Sequence, residues 1–196
     1  PENAPTDTWN ATAYSGSEIS FEDNFESNLG WSVTGDAGDG QWERGEPVGG
    51  GDRGDPATDA DGSGSCFVTD NEDGNSDVDG GTTTLTSPNL DASDSPILSY
   101  YRWYSNDYGG DPMNDIFEVE FSINGGQSWM ELETVGPSGS QVSGNWYFVE
   151  FDLDTVSGFE PSNQFRVRFV VSDLSTGSVI EAGVDGVSLS KITCDE

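Results

Sequence analysis

The stretch NWYFVEFDL (145–153) alternates between two kinds of side chain. Successive side chains of a β-strand point to opposite faces of a sheet, so this pattern predicts a strand with one buried face. We expect the buried set to be Tyr147, Val149, Phe151 and Leu153, and the outward set to be Trp146, Phe148, Glu150 and Asp152.

Two further stretches, DIFEVEFSI (115–123) and QFRVRFVVS (164–172), have the same period. The apolar positions, which we expect in the core, are Phe117, Val119, Phe121, Ile123, Phe165, Val167, Phe169 and Val171. The positions between them carry acids in the first stretch and bases in the second. This complementarity predicts neighbouring strands, with Arg166 and Arg168 paired to Glu118, Glu120 or Glu150. Such pairs are either ordinary surface ion pairs or part of a ligand site, and the sequence leaves both interpretations open.

Other short alternating or apolar stretches are separated by turns that contain Gly, Pro and Asn. They are 19–27, 30–35, 65–70, 82–90, 96–105, 127–135 and 183–192. No stretch has a convincing helical period. The sequence therefore predicts an all-β fold, an antiparallel two-sheet β-sandwich or jelly roll with long acidic, Gly-rich loops.

Length and charge predict the organisation and the compartment. The 196 residues suit one domain with a tail, which we divide into a linker or N-terminal arm (1–18) and the sandwich (19–196). A start at Pro1, with no long apolar run, leads us to expect a piece of a larger secreted chain with no membrane insertion. The net charge of −31 disfavours nucleic acid as a partner and suits a saline, calcium-containing medium outside the cell.

The residue inventory argues against catalysis. The chain has no His, which excludes Ser–His and Cys–His mechanisms. Among 37 acidic residues a close pair of carboxylates arises by chance, so we expect no enzyme activity. Cys66 and Cys194 permit one disulfide in an oxidising compartment, although the sequence does not show that they meet.

A series of landmarks follows a fixed order along the chain. They are Phe25-Glu26, Trp31, QWERG (41–45), LTSPNL (85–90), LSYYRWY (98–104), FEVEFS (117–122), NWYFVEFDL (145–153), FRVRF (165–169) and GVDGVSL (183–189). In this order, from about residue 21 to about residue 191, the chain resembles the MAM domain and its bacterial relatives, the cleaved-adhesin type jelly rolls. The cysteine pattern of animal MAM domains is missing, and Gly186 stands where the family has the second Asp of a terminal pair.

The resemblance implies a two-sheet jelly roll of the kind found on secreted proteases, glycosidases and adhesins, often with structural calcium. It also implies that a first-strand carboxylate and a last-strand Asp share an ion with a loop, which corresponds to Glu26 and Asp185 here. Carbohydrate-binding modules share this architecture by analogy.

Three acidic loops supply the oxygen ligands that Ca²⁺ prefers: GDAGDG (35–40), TDADGSG (58–64) and DNEDGNSDVDGG (70–81). None of them is a complete EF-hand loop. The further candidate ligands from the loops are Asp36, Asp39, Asp61, Asp70 and Asn71. The alternative is that the acids are solvated and only provide solubility.

Aromatic side chains are the candidates for sugar binding, because the CH groups of a pyranose stack on rings. The strongest stretch is YYRWYSNDYGGDPMND (100–115), in which we expect Trp103 to face the core and Tyr108 to lie in the following loop. That orientation places on one outer face Tyr100, Arg102, Tyr104, Arg166 and Arg168. Bases gathered in so acidic a chain suit an anionic polysaccharide. The alternative is that these are ordinary core and edge aromatics.

Two functions fit these observations. The first is a non-catalytic, calcium-binding carbohydrate-binding module that targets a secreted bacterial protein to polysaccharide. The second is a protein-adhesion or spacer module of a cell-surface adhesin or secreted protease, with a surface protein as its partner. An exposed aromatic platform would favour the first function, and a flat or apolar patch the second. The tripeptide Arg53-Gly54-Asp55 matches an integrin-binding sequence, but a structural role for the arginine is the simpler interpretation.

Overall fold

The computed structural model describes residues 16–51, 53–75, 77–174 and 177–193. These residues form eleven β-strands and a short 3-10 turn at Leu153–Thr155. The strands are β1 Gly16–Asp23, β2 Ser32–Gly35, β3 Trp42–Gly45, β4 Cys66–Thr69, β5 Gly81–Thr86, β6 Ile97–Gly109, β7 Phe117–Ser122, β8 Met130–Val135, β9 Ser143–Asp152, β10 Arg166–Asp173 and β11 Ser178–Thr193. Within these ranges no helix is long and apolar enough to cross a membrane.

The strands form two antiparallel sheets. Sheet A has the order β3-β4-β11-β6-β9, with β1 paired to the second half of β11. Sheet B has the order β2-β5-β10-β7-β8. The predicted antiparallel β-sandwich is therefore confirmed.

The core lies between the sheets and is built by the predicted alternation. Phe117, Val119 and Phe121 of β7 are fully buried. The buried positions of β10 and its flank are Phe165, Val167, Phe169 and Val171. Side chains of this size each contribute about 1.5–3 kcal/mol when they leave water, so the inward rows account for much of the driving force for folding. On β9, Val149 and Phe151 pack against this cluster.

The predicted pairing of the two charged stretches is also confirmed. β7 and β10 are neighbours, and Arg168 lies opposite Glu120. The Arg168 Nε donates to Glu120 Oε2 at 2.6 Å. Arg166 instead donates to Asn89 Oδ1 at 2.7 Å. The expectation that Glu150 pairs with these arginines is wrong, because Glu150 lies on β9 in sheet A.

One boundary and one strand differ from the expectation. β1 begins at Gly16, which pairs with Thr193, so residues 16–18 belong to the sandwich and not to the arm. Residues 1–15 lie outside the described part of the chain. The short strand β3 was not predicted, because it lies inside the acidic, Gly-rich region.

The predicted disulfide stays a prediction. Cys66 is buried on β4, and Cys194 lies outside the described residues, so nothing tests whether the two are bridged. Burial is the main cause that raises the pKa of the Cys66 thiol, and the nearby carboxylates of Asp185, Asp59 and Asp61 raise it further.

Candidate functional site

The side chains of β6 that we expected on the outer face of the sheet point into the core. Tyr100 and Tyr104 are fully buried and Arg102 is only 3% exposed. Arg102 points between the sheets, where its Nε lies 3.0 Å from both carboxylate oxygens of Glu133 on β8. The prediction of an outer ligand surface from Tyr100, Arg102 and Tyr104, with Trp103 inward, is therefore wrong.

Arg102 can point inward because Glu133, a partner distant in the sequence, lies opposite it in the core. A buried guanidinium is tolerated only when it is paired and hydrogen-bonded. Glu133 supplies that pairing from the facing sheet and also accepts a hydrogen bond from the Tyr100 hydroxyl at 2.9 Å. Alternation established that positions 100, 102 and 104 share a face, but it did not establish which face that is.

The expected convergence of three bases is also wrong. Arg102 belongs to β6 in sheet A, whereas Arg166 and Arg168 belong to β10 in sheet B. Arg102 points inward, and Arg168 points outward to Glu120 and lies over the ring of Trp129, 4.3 Å from its centroid. The observation that favoured an anionic sugar is therefore lost.

The outward positions of β6 and β9 form a row of aromatic rings. This aromatic strip consists of Tyr101, Trp103, Trp146 and Phe148. Tyr101 pairs across the strands with Phe148, and Trp103 pairs with Trp146. The ring centroids lie 5.1 Å apart in the first pair and 5.7 Å apart in the second. Phe148 is 55% exposed, and the other three rings are partly buried.

The acidic loop, residues 53–65, crosses the outer face of sheet A beside this strip. The indole Nε1 of Trp103 donates to the carbonyl oxygen of Gly54 at 2.6 Å. The indole Nε1 of Trp146 donates to the carbonyl oxygen of Thr58 at 2.8 Å. Both indoles are therefore fixed by the loop. Trp146 also covers Gly183 of β11, where an added Cβ would lie only 2.7 Å from the indole Cη2.

Further along, this loop brings three carboxylates together. One oxygen each of Asp59, Asp61 and Asp185 lies within 4.8 Å of the others. Asp185 is fully buried, and its Oδ2 accepts hydrogen bonds from the backbone N–H of Ala60 at 2.8 Å and of Asp61 at 3.2 Å. Burial, together with repulsion from Asp61, raises the pKa of Asp185 to about 6, although the backbone hydrogen bonds oppose the rise. An all-oxygen set of this kind fits a hard cation such as Ca²⁺.

Glu26 lies beside the same loop. Its Oε1 accepts hydrogen bonds from the backbone N–H of Ser65 at 2.6 Å and from Ser63 Oγ at 3.3 Å. The structure thus brings Glu26, Asp61 and Asp185 to one loop. Sequence reasoning missed Asp59, whose signal was its spacing of two residues from Asp61 within TDADGSG.

The remaining predicted metal ligands lie elsewhere. Asp36 Oδ1 accepts a hydrogen bond from the Thr82 N–H at 3.0 Å, and Asp39 Oδ1 accepts one from the Gly40 N–H at 3.2 Å. Asn71 holds the loop that follows β3, since its Oδ1 accepts from the Val48 N–H at 3.0 Å. These contacts explain the three side chains by local structure.

Asp70 lies at the end of β4 with a φ of 42°, in the left-handed region. Partial burial raises the pKa of Asp70 to about 6, and the negative charges of Asp39, Glu72, Glu43 and Asp77 raise it further. The three-carboxylate group found among the described residues does not include Asp70.

The other candidates from the sequence have structural roles or lie apart. Asp55 is 8% exposed and Arg53 pairs with Asp77, so the Arg53-Gly54-Asp55 tripeptide is built into the loop. Tyr108, at the end of β6, is 43% exposed and lies close to Gly54.

Three solved cleaved adhesin domains have this fold. The K1 domain of Lys-gingipain from Porphyromonas gingivalis W83 matches with a TM-score of 0.56 and 17% identity, over 90% of this chain and 98% of that domain. The K2 domain of Lys-gingipain matches with a TM-score of 0.54 and 19% identity, over 86% of this chain and 96% of that one. The K3 domain from the same organism as K1 matches with a TM-score of 0.53 and 15% identity, over 89% and 99%.

At these identities the likeness concerns the fold, and at that level it confirms the resemblance to cleaved-adhesin jelly rolls. No protein-family model matches the chain, and no curated protein matches it.

Proposed function

We propose that this protein is a non-catalytic carbohydrate-binding module of a secreted bacterial protein, with the aromatic strip as its sugar-binding surface. The outward position of Tyr101, Trp103, Trp146 and Phe148 is the observation that carries the proposal. Apolar ring faces next to hydrogen-bonding groups are the arrangement that recognises a ligand which is apolar on one face and polar at its edges.

The groups beside the strip supply the polar part. Ser99 lies opposite Glu150 on one side and Ser188 on the other. The Oγ atoms of Ser99 and Ser188 are 2.8 Å apart. Because Ser99 is buried and the two hydroxyls already bond each other, the exposed carboxylate of Glu150 is the group that offers oxygens to sugar hydroxyls. A chain with a net charge of −31 repels anionic sugars, so the proposed ligand is a neutral polysaccharide.

Calcium is the second part of the proposal. Asp59, Asp61 and Asp185 would hold one Ca²⁺, and the ion would neutralise their mutual repulsion. Its role would be structural, because it would fix the acidic loop on sheet A next to the indoles that the same loop anchors. Glu26 would support the loop from its far end through Ser65.

Affinity electrophoresis on neutral and sulfated polysaccharides, with calcium and then with chelator, tests the sugar-binding function. The variant Tyr101→Ala/Phe148→Ala removes the more open pair of rings. The matched control is Val170→Ala, an outward apolar position on β10 in sheet B. We expect wild type and control to be retarded on a neutral glycan, and the double variant to bind at least about tenfold more weakly.

Equal retardation of the double variant and wild type would overturn the assignment of the strip. A folded protein that no glycan retards would overturn the carbohydrate-binding function itself.

An adhesion function has one specific observation in its favour. At the other end of the outer face of sheet A, Ile19 is 54% exposed and Ile192 is 55% exposed. Ile19 and Ile97 both lie opposite Ser190, so the isoleucines form one apolar patch. Such a patch suits a protein partner. Self-association on a sizing column that Ile19→Ser/Ile192→Ser abolishes would support this function, and a monomer at all concentrations would argue against self-adhesion.

A further inference from the structure

A cavity of about 380 Å³ lies at the end of sheet A that is remote from the aromatic strip. Its apolar lining comes from Ile97 of β6, Ile192 of β11 and the prolines Pro96 and Pro161. Ile97 is four residues from Tyr101 along β6, about 13 Å in an extended strand, so the cavity and the strip are separate. Ile192 is 55% exposed and Pro161 is exposed, so a ligand can reach this lining from solvent.

The apolar lining continues outside the cavity as a flat patch. Ile19 of β1 and Ile97 flank Ser190 on β11, and Ile192 lies two residues further along β11 on the same face. Ile19 is 54% exposed. Aliphatic side chains that are exposed together gain free energy when a partner covers them. Because the patch extends beyond the cavity, it suits a protein partner better than a small molecule.

The rim of the cavity is acidic. Asp94, Asp152 and Asp154 line it. Lys191, which also lines the cavity, is already engaged, because its Nζ donates to Asp94 at 2.6 Å and lies 3.5 Å from Glu18. Within the described part of the chain, no lysine or arginine pairs with Asp152 or Asp154. The rim therefore presents negative charge that a cation from outside can neutralise.

The short turn after β9 fixes the two acids that lack a basic partner. Asp152 Oδ1 accepts a hydrogen bond from the Asp154 N–H at 3.2 Å, and Thr155 Oγ1 donates to the Asp152 carbonyl oxygen at 2.7 Å. A carboxylate has about four acceptor positions, so Asp152 keeps acceptor capacity beyond this bond. Both side chains are exposed, and a ligand therefore meets two acceptors held on one turn.

Apolar walls below an acidic rim select a side chain with an aliphatic stem and a cationic head. Arginine has this form, and its planar guanidinium bonds carboxylates through two parallel hydrogen bonds. Arginine is also enriched among the residues that dominate protein–protein interfaces. A second copy of this chain would bring another net charge of −31 and be repelled, so the charge favours a basic partner.

We propose that this end of sheet A binds a basic protein partner, which inserts an arginine side chain into the cavity and covers Ile19 with an apolar neighbour. The arginine stem would lie along Ile97 and Ile192, and its guanidinium would meet Asp152 and Asp154. The inference rests on the adhesion function and deepens it by naming the chemistry of the partner. It does not depend on sugar binding by the aromatic strip.

NMR titration of the ¹⁵N-labelled full chain with the capped tripeptide acetyl-Leu-Arg-Leu-amide tests the proposal, because amide shifts locate even weak binding. The comparison peptides carry Gln or Glu in place of the central Arg. A synthetic peptide with the sequence of residues 1–15 tests the chain's own N-terminal arm as the occupant.

The variant Asp152→Asn/Asp154→Asn removes the two free charges of the rim and keeps the shape of the turn, since Asn also caps. The matched control is Asp73→Asn/Glu131→Gln, which removes the same charge at exposed positions that do not line the cavity. Ile192→Ser removes exposed apolar surface without changing the charge.

We expect the arginine peptide to shift the amides of residues 96–97, 152–154 and 191–192 in the wild type. The Gln peptide should bind the wild type at least about threefold more weakly, and the rim variant should bind the arginine peptide more weakly by a similar factor. Ile192→Ser should also weaken binding, and the control variant should bind as the wild type does. If the rim variant fails to fold in a melting control, Ile192→Ser decides the result.

Four results would overturn the proposal. They are no shifts at this end of sheet A, equal affinity for the Arg and Gln peptides, equal loss of affinity in the rim and control variants, or tighter binding of the peptide 1–15. Self-association that Ile192→Ser abolishes would assign the patch to a second copy, which refutes the basic partner and keeps the adhesion function. Retardation on a glycan without peptide binding would refute this inference and leave the carbohydrate-binding function standing.

Discussion

The outer faces of the two sheets differ in how their side chains find partners. On sheet B several outward groups pair across the strands, although burial and the like charges of Glu120 and Glu131 raise the pKa of Glu118. Arg168 bonds Glu120, and the hydroxyls of Thr82 and Ser172 are 2.9 Å apart. On sheet A the indoles of Trp103 and Trp146 are bonded to a loop that crosses the face.

This difference shows why one face is suited to binding and the other is not. A face whose polar groups already pair has little to gain from a ligand, because each new hydrogen bond replaces an existing one. Sheet A keeps exposed ring area, and at its β3–β4 edge Asp70 lies among the negative charges of Asp39, Glu72, Glu43 and Asp77. The positions of the Trp103 and Trp146 indoles therefore depend on the contacts that hold the acidic loop against sheet A.

The largest expected effect is that of calcium on thermal stability. It should act on the outer face of sheet A and leave sheet B unchanged. Calcium at one hundred times its dissociation constant should stabilise the protein by about 2.7 kcal/mol. Chelator should therefore lower the melting temperature, and Asp185→Asn should abolish the calcium-dependent shift. Amide exchange should increase in the acidic loop and stay unchanged in β2 and β5.

The control for calcium is Asp36→Asn, which removes a predicted ligand that bonds Thr82 instead. It should keep the full calcium-dependent shift. A melting curve that is the same with calcium and with chelator would remove the ion from the proposal.

The second effect concerns the support beneath the aromatic strip. Gly183→Val places a side chain where the indole of Trp146 now lies, since an added Cβ would be 2.7 Å from its Cη2. Overpacking of this kind costs about 1–3 kcal/mol, and the displaced ring should weaken polysaccharide binding. Ser190→Val, at an outward position further along β11, is the matched control. Denaturant unfolding and affinity electrophoresis measure both consequences, and equal results for the two variants would contradict the prediction.

The third effect tests the acids gathered around Asp70 at the edge of sheet A. The pKa of Asp70 is raised from 3.8 to about 6, so the folded protein binds this proton more tightly than the unfolded chain does. The contribution of Asp70 to the free energy of unfolding should fall as pH rises from about 4 to about 6, and stay level above that. Asp70→Asn removes the charge, and Asn tolerates the left-handed φ of 42°.

In chelator, Asp70→Asn should be more stable than the wild type by about 1 kcal/mol at pH 7 and equally stable below pH 4. Urea unfolding across this pH range measures the difference. A constant difference at all pH values would show that the backbone, and not the charge, is responsible.

The smallest effect is expected on sheet B. Arg168→Ala loses the bond to Glu120 and the contact with the Trp129 ring, which together should cost less than about 1.5 kcal/mol. Polysaccharide binding should be unchanged, because Arg168 lies on the other sheet. A double-mutant cycle with Glu120→Gln isolates the ion pair. Loss of glycan binding in Arg168→Ala would break the contrast between the two faces.

Much of the fold was accessible from the sequence, and much of the site was not. The pairing of β7 with β10 followed from acids on one strand and bases on the other, and Arg168–Glu120 confirms it. The orientation of β6 did not follow, because Tyr, Arg and Trp each combine an apolar body with a polar tip. For Glu26, Asp61 and Asp185, the family resemblance and the loop sequence pointed to one location, while Asp59 was passed over.

The sequence by itself determined most of the strands, which residues of each strand share a face, and the all-β class, because the two-residue period is a local property of the backbone and of side-chain polarity. Only the tertiary structure decided which face of β6 is buried, which acids meet and where the arginines go. Those outcomes depend on partners distant in the chain: Glu133 facing Arg102, Gly54 receiving the Trp103 indole, and the loop that carries Asp59 and Asp61 to Asp185. A local pattern cannot encode contacts whose free energy exists only once both partners are in place.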